Sequence, residues 1–442
     1  MVMIAASAEE AARHTVCVQN MWSAPVATAP VDATVVLPGS KSMTNRALVL
    51  AALADGPSSL CRPLEARDTL LMVDGLVAMG SAIERAGDLW SVRPGELQGP
   101  STVDVGNAGT VMRFLPAVAA LADRPVHFDG DDRAHGRPLR ALIDALRALG
   151  AQIDDGGRAA LPFTVNGLGG LTGGDVTIDS SQSSQFLSAL LLVAPLFDKG
   201  LRVRHAGPPV PSAPHIRMTV EMLRAAGVSV DDSTRSVWAV EPGRPTAREW
   251  VIEPDLSNAA AFLAAALVTG GRVRIPDWPV RTTQAGAALP ELLGRMGARV
   301  SLDVDGLVLQ GTGTIGGLDA DLHDVGELAP VLAAVCAVAA APSRLHGIAH
   351  LRQHETDRLA ALRTELNNLG GQVRETEDGL VFWPSPLRGG EFSTYDDHRL
   401  ATAAAVLGLV VDGVQVADIG TTAKTLPDFP GLWEQMLAGE TH

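Results

Sequence analysis

The segment LIDALRALG, residues 142–150, is an amphipathic helix pattern that ends in glycine. Apolar side chains three and four residues apart form one helix face, and a glycine directly after them is a common helix end. Five similar segments occur at intervals of roughly 70 residues, which is typical of a repeat architecture. They are VDGLVAMG (73–80), VEMLRAAG (220–227), LPELLGRMG (289–297), LRTELNNLG (362–370) and LWEQMLAG (432–439).

Each repeat also contains an earlier helix that is apolar on almost every side. Such a helix is expected to be buried. A short strand separates the two helices, and a hairpin such as ARVSLDVDGLVLQG (298–311) follows the second one. The repeat is therefore predicted to be βαβαββ, six times over. The earlier helices begin near Lys41, Asn107, Ser183, Ser257, Glu327 and His398.

The six repeats predict an α/β fold of two domains with three repeats each, an inside-out α/β barrel with helices buried and sheets outside. The sixth repeat stops after its second helix, whereas the chain begins with a spare strand at Ala33 to Leu37. We expect this strand to complete the sixth unit. Residues 1–20 precede an alternative start at Met21, and we interpret them as an N-terminal extension.

Composition excludes several classes of function. The 442 residues carry a formal net charge of −15, which argues against a general nucleic-acid or membrane-surface binder. The three cysteines have no metal-ligand spacing and suit a reducing compartment, so we expect a cytoplasmic protein. Apolar runs such as residues 328–341 are too short to span a bilayer.

Arginine has replaced lysine almost everywhere in this chain. Of the 35 basic residues only Lys41, Lys199 and Lys424 are lysines. An ammonium and a guanidinium differ in size and donor geometry, so a retained lysine can mark a position where arginine fails. Chance retention is the alternative for each one.

The loops that start the buried helices hold most of the unusual residues. Helix N-termini offer free N–H groups and the positive end of the helix dipole, and therefore bind phosphate and carboxylate. Each loop taken alone also fits ordinary capping. Four of these loops are PGSKSMTNR (38–46), GNAGTVMR (106–113), DSSQSSQF (179–186) and YDDHR (395–399). Two second helices start with similar segments, HETDR (354–358) and AKTLPDF (423–429).

These motifs, in their order and spacing, resemble the enolpyruvylshikimate-phosphate synthases, and the resemblance covers residues 30–435. That family has two domains of three βαβαββ-like units joined by a double crossover. The resemblance places the crossover near Gly39–Ser40 and Glu253–Pro254. It implies one discontinuous domain, residues 21–39 plus 254–442, and one inserted domain, residues 40–253.

The resemblance also implies the substrates, phosphoenolpyruvate and shikimate 3-phosphate, and the residues that hold them. Both substrates are phosphate- and carboxylate-bearing, and bidentate arginine suits both groups. The expected shikimate phosphate site is Lys41, Ser42, Arg46, Ser183, Ser184, Gln185, Ser212, Glu327 and His354. The expected phosphoenolpyruvate site is Lys41, Gly109, Arg137, Gln185, Arg358, Arg399 and Lys424, and Gly109 belongs to the segment from Asn107 to Thr110.

The implied reaction is an addition followed by an elimination, with no metal and no organic cofactor. Glu327, at a position commonly Asp in the family, is the candidate base; capping of a buried helix is its alternative role. Lys41 and Glu355 are candidates for proton transfer at the methylene carbon. The family is inhibited by glyphosate in the phosphoenolpyruvate pocket, next to Gly109. Phe114, which is Pro in some sensitive members, leaves the degree of inhibition open.

Some positions depart from the family pattern, and other functions compete. His354, His215 and Ala285 each replace a residue common in the family. The closest rival is UDP-N-acetylglucosamine 1-carboxyvinyltransferase, but residues 129–137 lack its reactive cysteine. An RNA-terminal phosphate cyclase and a non-catalytic anion-binding descendant fit less well. We expect small-molecule substrates only, no nucleic acid, no membrane, and a monomer.

Overall fold

The computed structural model describes residues 21–439, which form alternating strands and helices. The expected extension at residues 1–20 lies outside the described residues. The helices are α1 (Lys41–Ala52), α2 (Arg67–Ala78), α3 (Val111–Ala119), α4 (Arg140–Ala148), α5 (Ser184–Val193), α6 (Ala213–Ala225), α7 (Ala259–Thr269), α8 (Leu289–Arg295), α9 (Ala329–Ala337), α10 (Arg358–Asn368), α11 (His398–Gly408) and α12 (Phe429–Ala438).

The strands between these helices are short, and they form six sheets. In chain order they are β1 (Met21–Ser23), β2 (Asp32–Thr34), β3 (Ser58–Cys61), β4 (Ala82–Ala86), β5 (Leu89–Arg93), β6 (Ser101–Asp104), β7 (Pro125–Asp129), β8 (Gln152–Asp154), β9 (Phe163–Asn166), β10 (Gly174–Ile178), β11 (Leu201–His205), β12 (Val230–Asp231), β13 (Val237–Val240), β14 (Glu249–Val251), β15 (Arg272–Ile275), β16 (Arg299–Asp303), β17 (Gly306–Gln310), β18 (Asp319–Asp321), β19 (Ser343–His346), β20 (Gln372–Glu375), β21 (Leu380–Trp383), β22 (Gly390–Phe392) and β23 (Val414–Ala417).

One unit shows the pattern of the repeat. Strands β6 and β7 are parallel because α3 crosses between them, and β7, β9 and β8 continue the sheet in antiparallel fashion. The units at β10–β13 and β18–β21 have the same order. The predicted α/β fold of βαβαββ repeats is therefore confirmed.

The first helix of each unit is buried, as its composition predicts. In α7 every residue from Ala259 to Leu267 is buried, because no polar side chain interrupts its surface. The buried residues form two separate hydrophobic cores, one within residues 47–252 and one within residues 24–37 and 256–436. We call the part around the first core, from α1 to α6, the first lobe. The second lobe runs from α7 to α12 and includes β1 and β2.

The two lobes exchange strands where the chain crosses between them. Strand β2 pairs in parallel with β15 of the second lobe, and β14 pairs in parallel with β3 of the first. The two passing chains meet at an antiparallel bridge between Gly39 and Pro254. The predicted domain boundaries at 39–40 and 253–254 remain a prediction, with which the two cores agree.

The predicted partner of the N-terminal strand was wrong. The strand near Ala33 covers Asp32–Thr34. It joins the sheet of β15, β16 and β17 in the fourth unit, and not the sheet of β22 and β23 in the sixth unit. Ala33 and Val35 pack into the second core, and β2 takes the open edge of β15, where it forms the parallel pair that starts the fourth unit. The sixth sheet is instead completed by β1, which pairs antiparallel with β23.

Among residues 21–439, no helix is long and apolar enough to cross a membrane.

Candidate active site

A cleft between the lobes collects the helix starts singled out in the sequence, and it encloses a cavity of about 130 Å³. Its cationic lining comes from both lobes. The first lobe supplies Lys41, Arg46, Arg113 and Arg137, and the second supplies Arg358 and Arg399. The other lining residues include Ser42, Gly109, Ser183, Ser184, Gln185, Ser212, His215, Glu327, His350, His354, Glu355 and His398.

Lys41 is the first residue of α1 and is held at the crossover. Its backbone N–H donates to Asp255 Oδ2 (3.1 Å), and its Nζ lies 3.1 Å from Asp68 Oδ2. Asp68 is almost fully buried on α2, whereas the Lys41 side chain remains 19% exposed to the cleft. The ammonium is therefore positioned by a buried carboxylate while one side still faces the cavity.

Arg46 lies one turn further along α1 and has no carboxylate partner among the described residues. Its guanidinium donates to Thr219 Oγ1, Ser188 Oγ and the His215 carbonyl at 2.7–3.1 Å. Burial lowers the pKa of Arg46 to about 9. A buried cation without a counter-ion is costly, and a bound anion would offset that cost.

Two further arginines meet beside Gly109. Arg137 donates to the carbonyl and the side chain of Asn107 at 2.8 and 3.0 Å, and Arg113 donates to Gln185 Oε1 at 2.8 Å. Burial first, and then the neighbouring Arg137, holds the pKa of Arg113 well below its usual range. The Nε atoms of both arginines are buried without a partner among the described residues. This pair of cations is poised for an anion.

The serines predicted to hold a phosphate lie at the starts of α5 and α6. Ser183 Oγ accepts from the backbone N–H of Gln185, so it caps α5, and Ser184 is buried beside it. Ser212 precedes α6 with a left-handed φ of 55°, and its N–H donates to the His323 carbonyl of the second lobe. All three serines line the cavity, where their hydroxyls are available to donate to an anion.

Arg358 and Arg399 are organised by Asp397, which is fully buried. Arg358 forms a bidentate pair with it, Nε to Oδ2 at 2.7 Å and Nη2 to Oδ1 at 3.1 Å. Asp397 also caps α11 by accepting from the backbone N–H of Arg399 at 2.9 Å. Burial lowers the pKa of Arg358, but Asp397 and Glu355 outweigh burial and raise it. Arg399 Nη1 donates to the Ser257 carbonyl at 2.9 Å.

Glu355 lies between Lys424 and His398 at the start of α10. Its Oε1 is 2.9 Å from Lys424 Nζ, and its Oε2 is 3.1 Å from His398 Nδ1. Burial would raise the pKa of Glu355, but Lys424 and His398 hold it well below its usual range. Burial lowers the pKa of His398 to about 4. Glu355 is therefore ionised at neutral pH and able to accept a proton.

Glu327 lies on the short helical turn 326–328, directly before α9. Ser257 Oγ donates to its Oε1 at 3.4 Å, and His215 Nε2 of the other lobe lies 3.6 Å from the same oxygen. Its side chain is 14% exposed. The residue lines the cavity.

Three acidic and imidazole groups lie close enough together to suggest a metal site: Glu355, Asp397 and His398. Their oxygens, however, already face Lys424 and Arg358. Cations of the protein thus occupy the positions that a metal would take.

The cleft brings together all but one of the residues predicted to line the site. Lys424 is the exception: its Nζ lies beside Glu355 and donates to the Asn107 carbonyl at 2.9 Å, and it does not line the cavity. Arg113 and His350 line the cavity and were missed. Arg113 follows Gly109 by one helical turn, and this spacing is the signal that the sequence offered.

The six-unit α/β fold and its cation-lined cleft define a two-lobed protein suited to small substrates with several negative charges. The model of the family EPSP synthase (3-phosphoshikimate 1-carboxyvinyltransferase) matches residues 26–433, and the chain therefore belongs to that family.

Two solved structures described as EPSP synthase from Acinetobacter baumannii are similar to this chain. One is 25% identical, with a TM-score of 0.79, and the match covers 95% of this chain and 98% of that chain. The other is 24% identical, with a TM-score of 0.76 and coverage of 94% and 98%, and supports the fold alone.

Proposed function

We propose that the chain transfers the enolpyruvyl (carboxyvinyl) group of phosphoenolpyruvate to the 5-hydroxyl of shikimate 3-phosphate and releases phosphate. This is a step of the shikimate pathway to aromatic amino acids. The observation that carries the proposal is the convergence of buried cations from both lobes on one small cavity. Two substrates that each bear a phosphate and a carboxylate match that field.

The first lobe supports a site for shikimate 3-phosphate. The starts of α5 and α6, with Ser183, Ser184 and Ser212, suit the phosphate, and Arg46 and Lys41 suit the carboxylate. Gln185 is fixed by Arg113 so that its side chain is held at the cavity wall. Fixed donors cost less ordering on binding, so this wall favours one orientation of the ring.

The arginines at the opposite wall support a site for phosphoenolpyruvate. Arg137 reaches from the first lobe, and Arg358 and Arg399 reach from the second. Lys424 contributes positive charge to this site from behind Glu355, because its Nζ lies 2.9 Å from Glu355 Oε1. Both anionic groups of phosphoenolpyruvate thereby meet cations of both lobes.

Three groups are assigned to the proton transfers. Glu327 accepts the proton of the attacking hydroxyl. Lys41 carries the proton needed at the methylene carbon for addition, and Glu355, which Lys424 and His398 keep ionised by lowering its pKa, removes one during elimination. Each assignment follows from charge state: an acid must hold a proton and a base must lack one.

No organic cofactor is needed for this chemistry, because proton transfers and charge stabilisation suffice. We further propose that the protein acts as a monomer in the cytoplasm. The division at residues 39–40 and 253–254 is proposed as the hinge between its domains.

The choice of acceptor tests this proposal. Purified protein with phosphoenolpyruvate should release phosphate when shikimate 3-phosphate is added and not when UDP-N-acetylglucosamine is added. Release with the nucleotide sugar alone would assign the rival reaction. Release with neither acceptor would contradict both.

A further inference from the structure

A histidine and a carboxylate from opposite lobes face each other in the cleft. His215 lies in the first turn of α6, and Glu327 lies in the second lobe, with Nε2 and Oε1 3.6 Å apart. We propose that closure of the lobes assembles these two residues into one proton-accepting pair, in which His215 positions and assists Glu327. The inference rests on the proposed function, because it concerns the hydroxyl that Glu327 deprotonates.

The backbone of His215 is fixed from both sides of the cleft. The N–H of Ser212 donates to the His323 carbonyl of the second lobe at 3.0 Å, and the N–H of His215 donates to the Ser212 carbonyl at 3.0 Å. Arg46 donates to the His215 carbonyl at 3.1 Å. Ser212 is a non-glycine residue in left-handed conformation, a strain that is commonly found at functional sites. The ring is thus directed across the seam.

The two carboxylate oxygens of Glu327 have different surroundings: one contacts other side chains of the protein, and the other is available to a substrate. Its Oε1 faces His215 and the Ser257 hydroxyl. Its Oε2 accepts no hydrogen bond from any group within residues 21–439. Catalytic hydrogen bonds are often long before substrate binds, so the 3.6 Å separation suits a pair that tightens on closure. Oε2 is therefore the oxygen available to the acceptor hydroxyl.

The charges around His215 keep its ring neutral at neutral pH. Burial first lowers the pKa of His215, Glu327 and Asp255 raise it, and Arg46 and Lys41 lower it again, so that the pKa lies below its ordinary value. Glu327 also faces His350 and Arg358 of its own lobe, and its charge raises the pKa of each against the lowering effect of burial. A neutral imidazole can accept a proton that an imidazolium cannot.

The proton step balances without any further reactant. As the acceptor oxygen bonds to the central carbon of phosphoenolpyruvate, its O–H bond breaks and the proton passes to Glu327. His215 Nε2 then shares or takes that proton, leaving a carboxylate beside an imidazolium. The pair holds one proton in total until the lobes open.

The pH dependence of His215→Gln tests the pair. Two coupled proton acceptors bind their first proton at a higher pH than a single acceptor does. The apparent pKa of that step belongs to the pair and not to either residue. In the variant, the acid limb of the kcat profile should move to lower pH. At the optimum, kcat should fall roughly tenfold, less than the 10²-fold or more expected for loss of a general base, while both KM values change little.

His127→Gln is the matched control. It replaces an exposed histidine of β7, whose ring lies 3.1 Å from the Thr164 hydroxyl and does not line the active-site cavity. Its acid limb and kcat should equal those of the unmodified protein. An unchanged limb and an unchanged kcat in folded His215→Gln would overturn the inference.

The double variant of His215→Gln and Glu327→Gln distinguishes a coupled pair from a loss of activity that is caused only by lower stability. If the two groups act as a unit, Glu327→Gln and the double variant should have equal kcat, because non-additive losses mark coupled residues. A further tenfold loss in the double variant would show independent roles and contradict the pair. If the unmodified protein releases no phosphate with shikimate 3-phosphate, the proposed function fails instead.

Discussion

At the scale of single residues, the missing side chain of Gly109 is as important to the site as the side chains that surround it. Gly109 leaves room where Arg113, Arg137 and Gln185 converge. Its φ lies outside the left-handed region, so the backbone itself tolerates a side chain. The position of Gly109 is therefore sterically and not conformationally selected.

Gly109→Ala should separate substrate from inhibitor. The added Cβ would lie 2.8 Å from Arg137 Nη2 and 3.0 Å from Arg113 Nη1, so both guanidinium ends must shift. The longer glyphosate should lose at least about tenfold in affinity, or ~1.4 kcal/mol. The kcat/KM for phosphoenolpyruvate should fall by less, because specificity is a difference of affinities.

Gly136→Ala is the control for this substitution, because a Cβ there meets nothing within 4 Å. Inhibition kinetics on both variants give the two constants. Equal losses for substrate and inhibitor in Gly109→Ala would contradict the steric account.

Lys424→Arg tests whether a retained lysine is required. Lys424 is 9% exposed, and its Nζ lies 2.9 Å from both Glu355 Oε1 and the Asn107 carbonyl. A planar guanidinium cannot keep both contacts in that space. We expect kcat/KM to fall by about 10²-fold, whereas Lys199→Arg, at an exposed turn, should change nothing. Full activity in Lys424→Arg would mean that the lysine persists by chance.

Sequence motifs identified most of this site but not its contacts. Lys41, Arg137 and Glu355 stand out because polar residues interrupt apolar repeats. Arg113 was missed because it looks like an ordinary residue of α3 until the fold brings Gln185 beside it. The distance between side chains of two different repeats depends on how the repeats pack together, and the sequence pattern of one repeat does not determine that packing.

At the scale of elements, helix starts do two tasks at once. The N-terminus of α11 is capped by Asp397, which also holds Arg358 of α10. The repeat pattern predicted these helices well, since period and glycine stops are local signals. It failed for β2, because the sheet that a strand joins depends on its pairing with a distant strand, here β15, which no local pattern contains.

Asp397→Asn should lower stability strongly. The variant leaves Arg358 buried without its counter-ion, and breaking a buried pair costs about 3–5 kcal/mol. Its neighbour offers a matched comparison: Asp396 is 63% exposed in its pair with Arg133, and Asp396→Asn should cost less than about 1 kcal/mol. Urea unfolding measures both. Similar free energies of unfolding for the two variants would contradict this reading.

At the scale of the whole molecule, polar contacts join the two lobes on both sides of the cleft. Lys424 reaches Asn107, Ser212 reaches His323, and Arg133 reaches Asp396. The enclosed cavity of about 130 Å³ is smaller than the roughly 300–1,000 Å³ of common ligand pockets. We therefore expect the lobes to move apart before two substrates enter and to close again on them.

Shikimate 3-phosphate should compact the protein in solution. Without an anion the clustered cations repel one another and favour the open form, and a ligand that binds both lobes favours the closed form. The radius of gyration from X-ray scattering should fall on addition of the ligand. Unphosphorylated shikimate at the same concentration should leave it unchanged. Identical scattering with and without shikimate 3-phosphate, from an open starting form, would contradict closure.

The central claim is that the two lobes enclose phosphoenolpyruvate and shikimate 3-phosphate and transfer the carboxyvinyl group between them. Phosphorus NMR of the purified protein with both substrates tests it most directly. The account predicts that the phosphoenolpyruvate signal converts to inorganic phosphate while the shikimate phosphate stays esterified. It also predicts no conversion when the acceptor is left out. Phosphate release without the acceptor, or no release with it, would contradict the claim.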